Sequence, residues 1–369
     1  MSRTPIDGRV RYAVVGLGHI AQVAVLPAFA HATENSRLTA LVSDDAEKLS
    51  TLTRKYDVPH AFIYEAYDRC LEEVDAVYIA LPNSMHAEYA IRAAEAGVHV
   101  LCEKPMAVTV EECERMIAAA QATDVRLMIA YRLHFEHETL KAIELVSDGT
   151  LGDPKLFNST FSMRVRPGDI RTQRKMGGGT LYDIGVYCIN AARHLFKAEP
   201  IEVIASSVNT DRERLPEIDE TTSAILRFDN GRLASFVTSF NAADVSWYEV
   251  LGTKGRLKME PAYEYAEGLA YELTIDGRTT RHKSGKRDQF AAELIYFSTC
   301  VLEGTEPEPS GEEGLQDVRI VTSLYESAEI GRAVELPPYE PVRQPGVDQA
   351  IRRPPVEKPQ TVHAEAPHS

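Results

Sequence analysis

The first 130 residues alternate between two textures with little slack, and that alternation leaves few folds open to the chain. Near-continuous apolar runs stand at VRYAVVG (10–16), RLTALVS (37–43), DAVYIALP (75–82), VHVLCEKP (98–105) and VRLMIAYR (125–132). Between them lie helix-patterned stretches: an Ala-rich one from Ile20 to Ala32, a charged one from Asp45 to Tyr56, then AEYAIRAAEAG closing on Gly97, and EECERMIAAAQAT. Strands that are apolar on both faces must be covered on both faces, and strands joined through helices run parallel. The sequence therefore predicts an α/β fold opening with a parallel sheet between two helical layers.

From about residue 150 the texture changes. KLFNSTFSM, IEVIASSVNT, TSAILRF, RLASFVTSF and SWYEVLG are longer, more polar and alternating, with a DNG turn signal at 229–231 between two of them. That pattern predicts a large, mostly antiparallel open sheet with one face partly exposed. Two helices follow, DQFAAELIYFSTCVLEG and GLQDVRIVTSLYESAEIG. From Pro337 onward eight prolines fall within 33 residues without apolar periodicity, which reads as a tail, either loose or draped over a neighbour.

Charge and composition narrow the function. A net charge of −15 on 369 residues disfavours a nucleic-acid or anionic-membrane partner and suits an enzyme acting on a small molecule. No apolar run reaches the roughly 18 residues that a membrane span needs. The start, MSRTPIDGRVRYAVVG, lacks the apolar core of a secretory signal, so a cytoplasmic location is expected. The five cysteines are odd in number, scattered and form no CxxC, which supports neither a disulfide framework nor a zinc site. His134-Phe-Glu-His137 has no third ligand nearby, and no metal is expected.

Gly16-Leu-Gly18-His19-Ile20-Ala21 follows the first strand and opens a helix, the setting that a GxGxxA dinucleotide fingerprint requires. The glycines permit a tight turn and close approach of a pyrophosphate to the helix N-terminus. At the end of the second strand, NAD enzymes usually place an acid for the ribose 2′-hydroxyl. Here Ser43 takes that place, with Asp44 and Asp45 after it and Lys48 one turn into the helix. A hydroxyl with a nearby cation favours NADP; the adjacent acids argue for NAD. The sequence is read as NADP-binding. The expected organisation is a dinucleotide-binding domain over 1–132, a substrate-binding and oligomerisation domain over 133–336, and a Pro-rich tail over 337–369.

Two more stretches carry chemistry. Glu103-Lys104-Pro105 stands at the carboxyl end of the strand 98–105, where open α/β sheets bind ligands. GGGTLYDIGVYC (177–188) sets three glycines before Asp183 and Tyr187, which are four apart and so share a helix face.

In their order, GLGHIA, LPNSMH (81–86), CEKPMAV, AYR (130–132), GGGTLYDIGVY and GEEGLQDVRI (311–320) resemble the glucose–fructose oxidoreductase / inositol dehydrogenase / MocA family, most closely its glucose–fructose oxidoreductase branch. The resemblance runs from residue 10 to about 335. It implies a Rossmann domain followed by an α/β domain with a large, mostly antiparallel open sheet, with the nicotinamide between them. It also implies Lys104, Asp183 and Tyr187 as the catalytic set, and glycines 177–179 that let the second domain approach the cofactor. Asn83 and His86 then line the nicotinamide side, and Leu81, Pro82, Glu103, Lys104, Arg132 and Arg171 are cofactor contacts. Homodimers, or dimers of dimers, through the second sheet are implied as well. Two departures stand out: fewer than ten residues precede the first strand, so the N-terminal arm of the branch's periplasmic members is not expected, and RTQRK (171–175) replaces a segment that is usually acidic and prolyl.

The implied reaction is oxidation of a sugar C1 hydroxyl to the lactone, with a second sugar reduced to a polyol on retained NADP. A free Tyr at pH 7 lies about three units below its pKa, a gap of roughly 4 kcal/mol. A cation about 4 Å from the phenolate supplies roughly that much at an effective dielectric of 20. A Lys and a Tyr together are therefore sufficient. Dehydrogenation of an inositol or a dihydrodiol is the alternative enzyme reading, the first disfavoured because Tyr187 stands where inositol-type relatives have His. A non-catalytic regulator that senses NADP is the alternative from another class.

Overall fold

The computed structural model describes residues 6–368. Residues 1–5, which open the expected first domain and the stretch read as leaderless, and Ser369 of the tail lie outside the described residues. Six strands form a fully parallel sheet: β1 (Val10–Val15), β2 (Ser36–Val42), β3 (His60–Phe62), β4 (Ala76–Ile79), β5 (His99–Cys102) and β6 (Leu127–Ile129). Their order is β3-β2-β1-β4-β5-β6, the Rossmann order, in which the chain runs outward from β1 to one edge and resumes at β4 beside β1. β4, β5 and β6 are buried at every position, as a sheet covered on both faces requires. β3 was not expected from sequence; it has three residues, none fully buried, and so no periodic signal.

Helix ends follow local chemistry. Asp45 caps helix Ala46–Tyr56 by accepting from the amides of Glu47 and Lys48, both at 3.0 Å. Thr109 and Glu112 form a reciprocal capping box before helix Val110–Thr123. The expected helix 20–32 is not regular: a π-turn (Ala21–Val25), an α-turn (Leu26–Ala28) and a 3-10 turn (Phe29–His31) succeed one another. Pro27 lacks the amide hydrogen that the i→i−4 ladder needs, and the helix changes its winding there.

The second sheet has nine strands: β7 (Pro154–Arg164), β8 (Pro200–Val208), β9 (Thr221–Phe228), β10 (Leu233–Ser239), β11 (Asn241–Gly252), β12 (Gly255–Met259), β13 (Ala270–Ile275), β14 (Arg278–Lys283) and β15 (Val334–Glu335). The order is β14-β13-β12-β11-β7-β10-β9-β8-β15, antiparallel except where β10 meets β7. The DNG turn joins β9 to β10, with Gly231 at φ +75°. One face buries Phe157, Leu226, Phe236 and Tyr248, while the other leaves Leu156, Ile204, Val208, Ile225, Leu233 and Val237 exposed. Register sets Leu233 beside Leu156 and Ile225 beside Ile204, two apolar pairs on that face, with Arg227 opposite Leu233 and Ser235 opposite Ile225.

The chain gathers into two compact units. The first holds the described residues through Arg132, Asp288–Leu315 and Arg352–Ala366; the second holds Leu133–Arg287, Gln316–Ile351 and the last described residues. Helix Gln289–Glu303, assigned by sequence to the substrate domain, thus belongs to the first unit. It is buried around most of its circumference, with Ser298 Oγ 2.7 Å from the Tyr12 hydroxyl and the Ile295 carbonyl accepting from Asn35 at 2.8 Å. The tail also divides, and residues 352–366 pack on the Rossmann unit rather than hanging loose.

Candidate functional site

β1 and β4 are neighbours from which the chain proceeds to opposite edges of the sheet, the switch point where open α/β sheets take dinucleotides. Gly16 has φ +92°, and a Cβ there would stand 2.5 Å from the Ala80 carbonyl oxygen, so the loops after β1 and β4 touch through it. Gly18 is different: a Cβ there would meet nothing within 4 Å. It leaves an open cradle at the start of the helical segment, where His19 and Ile20 are half-buried. An open glycine at a helix start beside the switch point fits a pyrophosphate. Leu81 and Pro82 follow β4, and Asn83 begins a 3-10 turn, half-buried. His86, expected on the nicotinamide side, is fully buried instead. Its ring nitrogens each lie 2.9 Å from a carbonyl, those of Pro105 and Leu81. It ties the loop after β4 to the loop after β5, and burial lowers its pKa.

At the end of β2, the two acids that argued for NAD are both committed to the protein. Asp44 Oδ1 accepts from the Tyr64 amide at 3.0 Å. Asp45 spends Oδ1 on its cap, while Oδ2 lies 2.8 Å from His363 Nδ1, a partner that no local pattern announced. The capping bond from Lys48, then His363, holds the Asp45 carboxyl below the usual range. Ser43 is buried and accepts from the Asp45 amide at 3.2 Å; Lys48 is half-buried one turn on.

Glu103 and Lys104 follow β5, both half-buried. Glu103 accepts from the Tyr78 hydroxyl at 2.9 Å and from the Lys104 amide at 3.3 Å. Behind it stands Glu293, wholly buried, whose Oε2 is 3.5 Å from the same hydroxyl and whose Oε1 has no hydrogen-bond partner. Burial and then Glu103 push the Glu293 pKa well above the usual carboxylate range, and burial also raises Glu103. Arg132, expected as a cofactor contact, is buried in this cluster; it donates to Gln289 and offsets both glutamates. Tyr78 and Glu293 were not singled out from sequence, although a lone Glu inside QFAAELIYF was a visible signal.

In the second unit, Asp183 lies in a π-turn, Leu181–Gly185, that runs directly into helix Val186–Phe196 bearing Tyr187. Tyr187 is half-buried, its ring 5.7 Å from that of Phe161 and 5.8 Å from that of Tyr263. Arg171, expected at the cofactor, donates to Asp183 Oδ2 at 2.9 Å and to Asp169 Oδ1 at 3.2 Å. The glycines explain that pairing. A Cβ at Gly178 would run into the carbonyl oxygens of Arg171 and Gln173, and one at Gly179, φ +137°, into the Tyr325 hydroxyl. The run of glycines thus lets the loop carrying Arg171 lie against the start of the Asp183 helix, a need internal to this unit.

His134 lies 2.8 Å from Asn190 Oδ1, and Glu136 caps helix His137–Ser147, so the HFEH motif is occupied structurally. Among the described residues no group of three or more His, Cys, Asp or Glu is placed to hold a metal, and no helix is long and apolar enough to cross a membrane.

Residues 10–131 match the family described as the oxidoreductase family with an NAD-binding Rossmann fold, GFO/IDH/MocA, and residues 139–258 match the GFO/IDH/MocA C-terminal domain. The chain is similar to an NADP(+) D-xylose 1-dehydrogenase of Haloarcula marismortui, 34% identical over 90% of this chain and 95% of that one. It is also similar to the crystal structure of the aldose-aldose oxidoreductase from Caulobacter crescentus with glycerol. The TM-score is 0.85 at 39% identity, over 89% of this chain and 100% of that one. A 3-ketoreductase from Actinomadura kijaniata in complex with NADP and TDP-benzene follows at TM-score 0.79 and 29% identity, over 86% and 98%.

Proposed function

We propose that this chain, which belongs to the GFO/IDH/MocA oxidoreductase family, is an NADP-dependent sugar oxidoreductase that oxidises the C1 hydroxyl of aldopyranoses to the lactone. The observation that carries the reading is Asp183, gripped by Arg171, on the same helical run as Tyr187, in a chain similar to a D-xylose 1-dehydrogenase and an aldose-aldose oxidoreductase. The preference for NADP is supported by the engagement of Asp44 and Asp45, which leaves Ser43 and Lys48 to meet a 2′-phosphate.

NADP, when bound, supplies the acceptor for the hydride that leaves C1. Tyr187 takes the hydroxyl proton, and Lys104 supplies the cation that a phenolate needs at neutral pH. Asp183 accepts from a neighbouring sugar hydroxyl. Its pairing with Arg171 offsets a negative charge that would otherwise oppose phenolate formation. In the same reading a second sugar is reduced to a polyol, so that acid and alditol accumulate together. The exposed apolar face of the second sheet is covered by a second copy of the chain, giving a homodimer or a dimer of dimers.

Lys104→Ala and Tyr187→Phe should each lower turnover by about a hundredfold or more while cofactor binding persists. Losses under about tenfold in both would mean that the proton acceptor lies elsewhere. The recycling step is tested by giving gel-filtered enzyme an aldose alone and assaying for aldonate and alditol. Acid that appears only with stoichiometric NADP, without alditol, makes the protein an ordinary aldose dehydrogenase.

A further inference from the structure

The tail meets the Rossmann unit at the place where NADP is told from NAD. We propose that residues Gln360–His363 form a clasp of the cofactor site, in which His363 occupies the acids beside the ribose 2′-position and sets the preference for a 2′-phosphate. The proposal rests on the NADP reading above and adds to it a selectivity residue more than 300 positions away in sequence from the strand-end acids it serves.

Three contacts hold the clasp. Gln22, buried in the first turn after Gly18, uses both ends of its amide on one tail residue: its Nε2 donates to the Val362 carbonyl and its Oε1 accepts from the Val362 amide, each at 2.8 Å. His363 adopts φ +45°, a conformation that residues with a Cβ rarely take. That turn brings Nδ1 to 2.8 Å from Asp45 and Nε2 to 3.2 Å from Glu47. Lys55 Nζ reaches the Gln360 carbonyl at 3.5 Å. Upstream, Arg353 pairs with Glu34, and its carbonyl accepts from the Asp288 amide at 3.2 Å. The strap is therefore tied down at both ends. It joins the turn after β1 to the turn after β2, the two elements that flank the adenosine ribose of a Rossmann site.

The charges explain why a histidine is useful there. Asp45 and Glu47 lie at the start of helix Ala46–Tyr56, and among the groups facing them Lys48 is the cation of their own helix. A dianionic 2′-phosphate brought to this corner meets three acids, Asp44, Asp45 and Glu47, and one cation. An imidazole with a carboxylate at each nitrogen is stabilised as imidazolium, and its presence sets two cations against the three acids. It also occupies Asp45 Oδ2, the oxygen that a bare ribose 2′-hydroxyl would otherwise find. Both effects favour NADP over NAD.

The test compares binding of 2′,5′-ADP and 5′-AMP, which differ only at the 2′-position, to the wild type, His363→Ala and a chain ended after Pro359. Calorimetric titration reads the affinities, and thermal unfolding checks that each variant is folded. His363→Ala should weaken 2′,5′-ADP by about fivefold, the scale of an exposed ion pair, and leave 5′-AMP unchanged or slightly tighter, because Asp45 Oδ2 is freed for the 2′-hydroxyl. The shortened chain should weaken NADP by about tenfold or more and release it faster, having also lost the Gln22 bonds. Should the shortened chain not fold, His363→Ala decides alone. Unchanged affinities, an equal weakening of both ligands by His363→Ala, or tighter binding after truncation would each overturn the proposal. Sugar turnover does not enter the measurement, so a protein that fails to oxidise aldoses leaves this result standing.

Discussion

Replacing Gly16 or Gly18 with alanine adds one methyl group at sites two residues apart, and the expected consequences are opposite. At Gly16 the backbone sits at φ +92°, and the new Cβ would lie 2.5 Å from the Ala80 carbonyl oxygen. Holding alanine in that region costs about 2 kcal/mol. The overlap, with backbone that cannot swing away, adds about 1–3 kcal/mol. Restricting the unfolded chain returns about 0.5–1 kcal/mol, leaving a loss near 3 kcal/mol. For a unit of this size that lowers the melting temperature by about 10 °C. At Gly18 the same methyl meets nothing within 4 Å, so stability should hold or rise slightly. The methyl instead fills the cradle, and NADP affinity should fall by about thirtyfold, or 2 kcal/mol. Calorimetric melting and fluorescence titration with NADP read the two effects separately. A Gly16→Ala protein that melts like the wild type, or a Gly18→Ala protein that binds NADP normally, would refute the reasoning.

Burial and then Glu103 raise the Glu293 pKa well above the carboxylate range, so its contribution to stability is present below that range and lost as pH rises toward the raised pKa. Glu293→Gln should therefore raise the denaturant midpoint at neutral pH and flatten its pH dependence; a lower midpoint at pH 7 contradicts this. Arg193 is buried between Glu199, at 2.7 and 2.9 Å, and Asp317, at 2.6 Å. Arg193→Met should cost about 3–5 kcal/mol in urea unfolding, part of it recovered by adding Asp317→Asn; a loss below about 1 kcal/mol means the pair is not buried in solution. Ile225→Lys with Leu233→Lys, both on the exposed apolar face, should convert the assembly to monomer by light scattering with little change in melting; a wild type already monomeric at micromolar concentration removes the premise.

The parallel sheet was legible because β4, β5 and β6 are buried on both faces and must be apolar throughout. β14 was not, being exposed at all six positions of RTTRHK and so free of any pattern that burial imposes. The glycine turn after β1 and Glu103-Lys104 after β5 could be found from local motifs, since each owes its place to the strand before it. Pairings made in three dimensions left no such trace. His86 looks the same in sequence whether it faces a ligand or two carbonyls, and only its burial tells. Arg171, a cofactor contact by the resemblance, instead pairs with Asp183 because Gly178 lets its loop close there, a pairing that RTQRK does not announce. The helix expected from Ile20 to Ala32 is helical from Ala21 to His31 but changes its winding around Pro27, which alanine content does not reveal.

The central claim is tested most directly by the absorbance of the purified protein in the reduced-nicotinamide band, with NADP and a panel of aldoses, inositols and dihydrodiols added singly. The expected result is a band that grows with aldopyranoses, in step with the aldonate released, and is nearly abolished in Tyr187→Phe. A band that grows with no aldose, or only with inositols or dihydrodiols, would contradict the account.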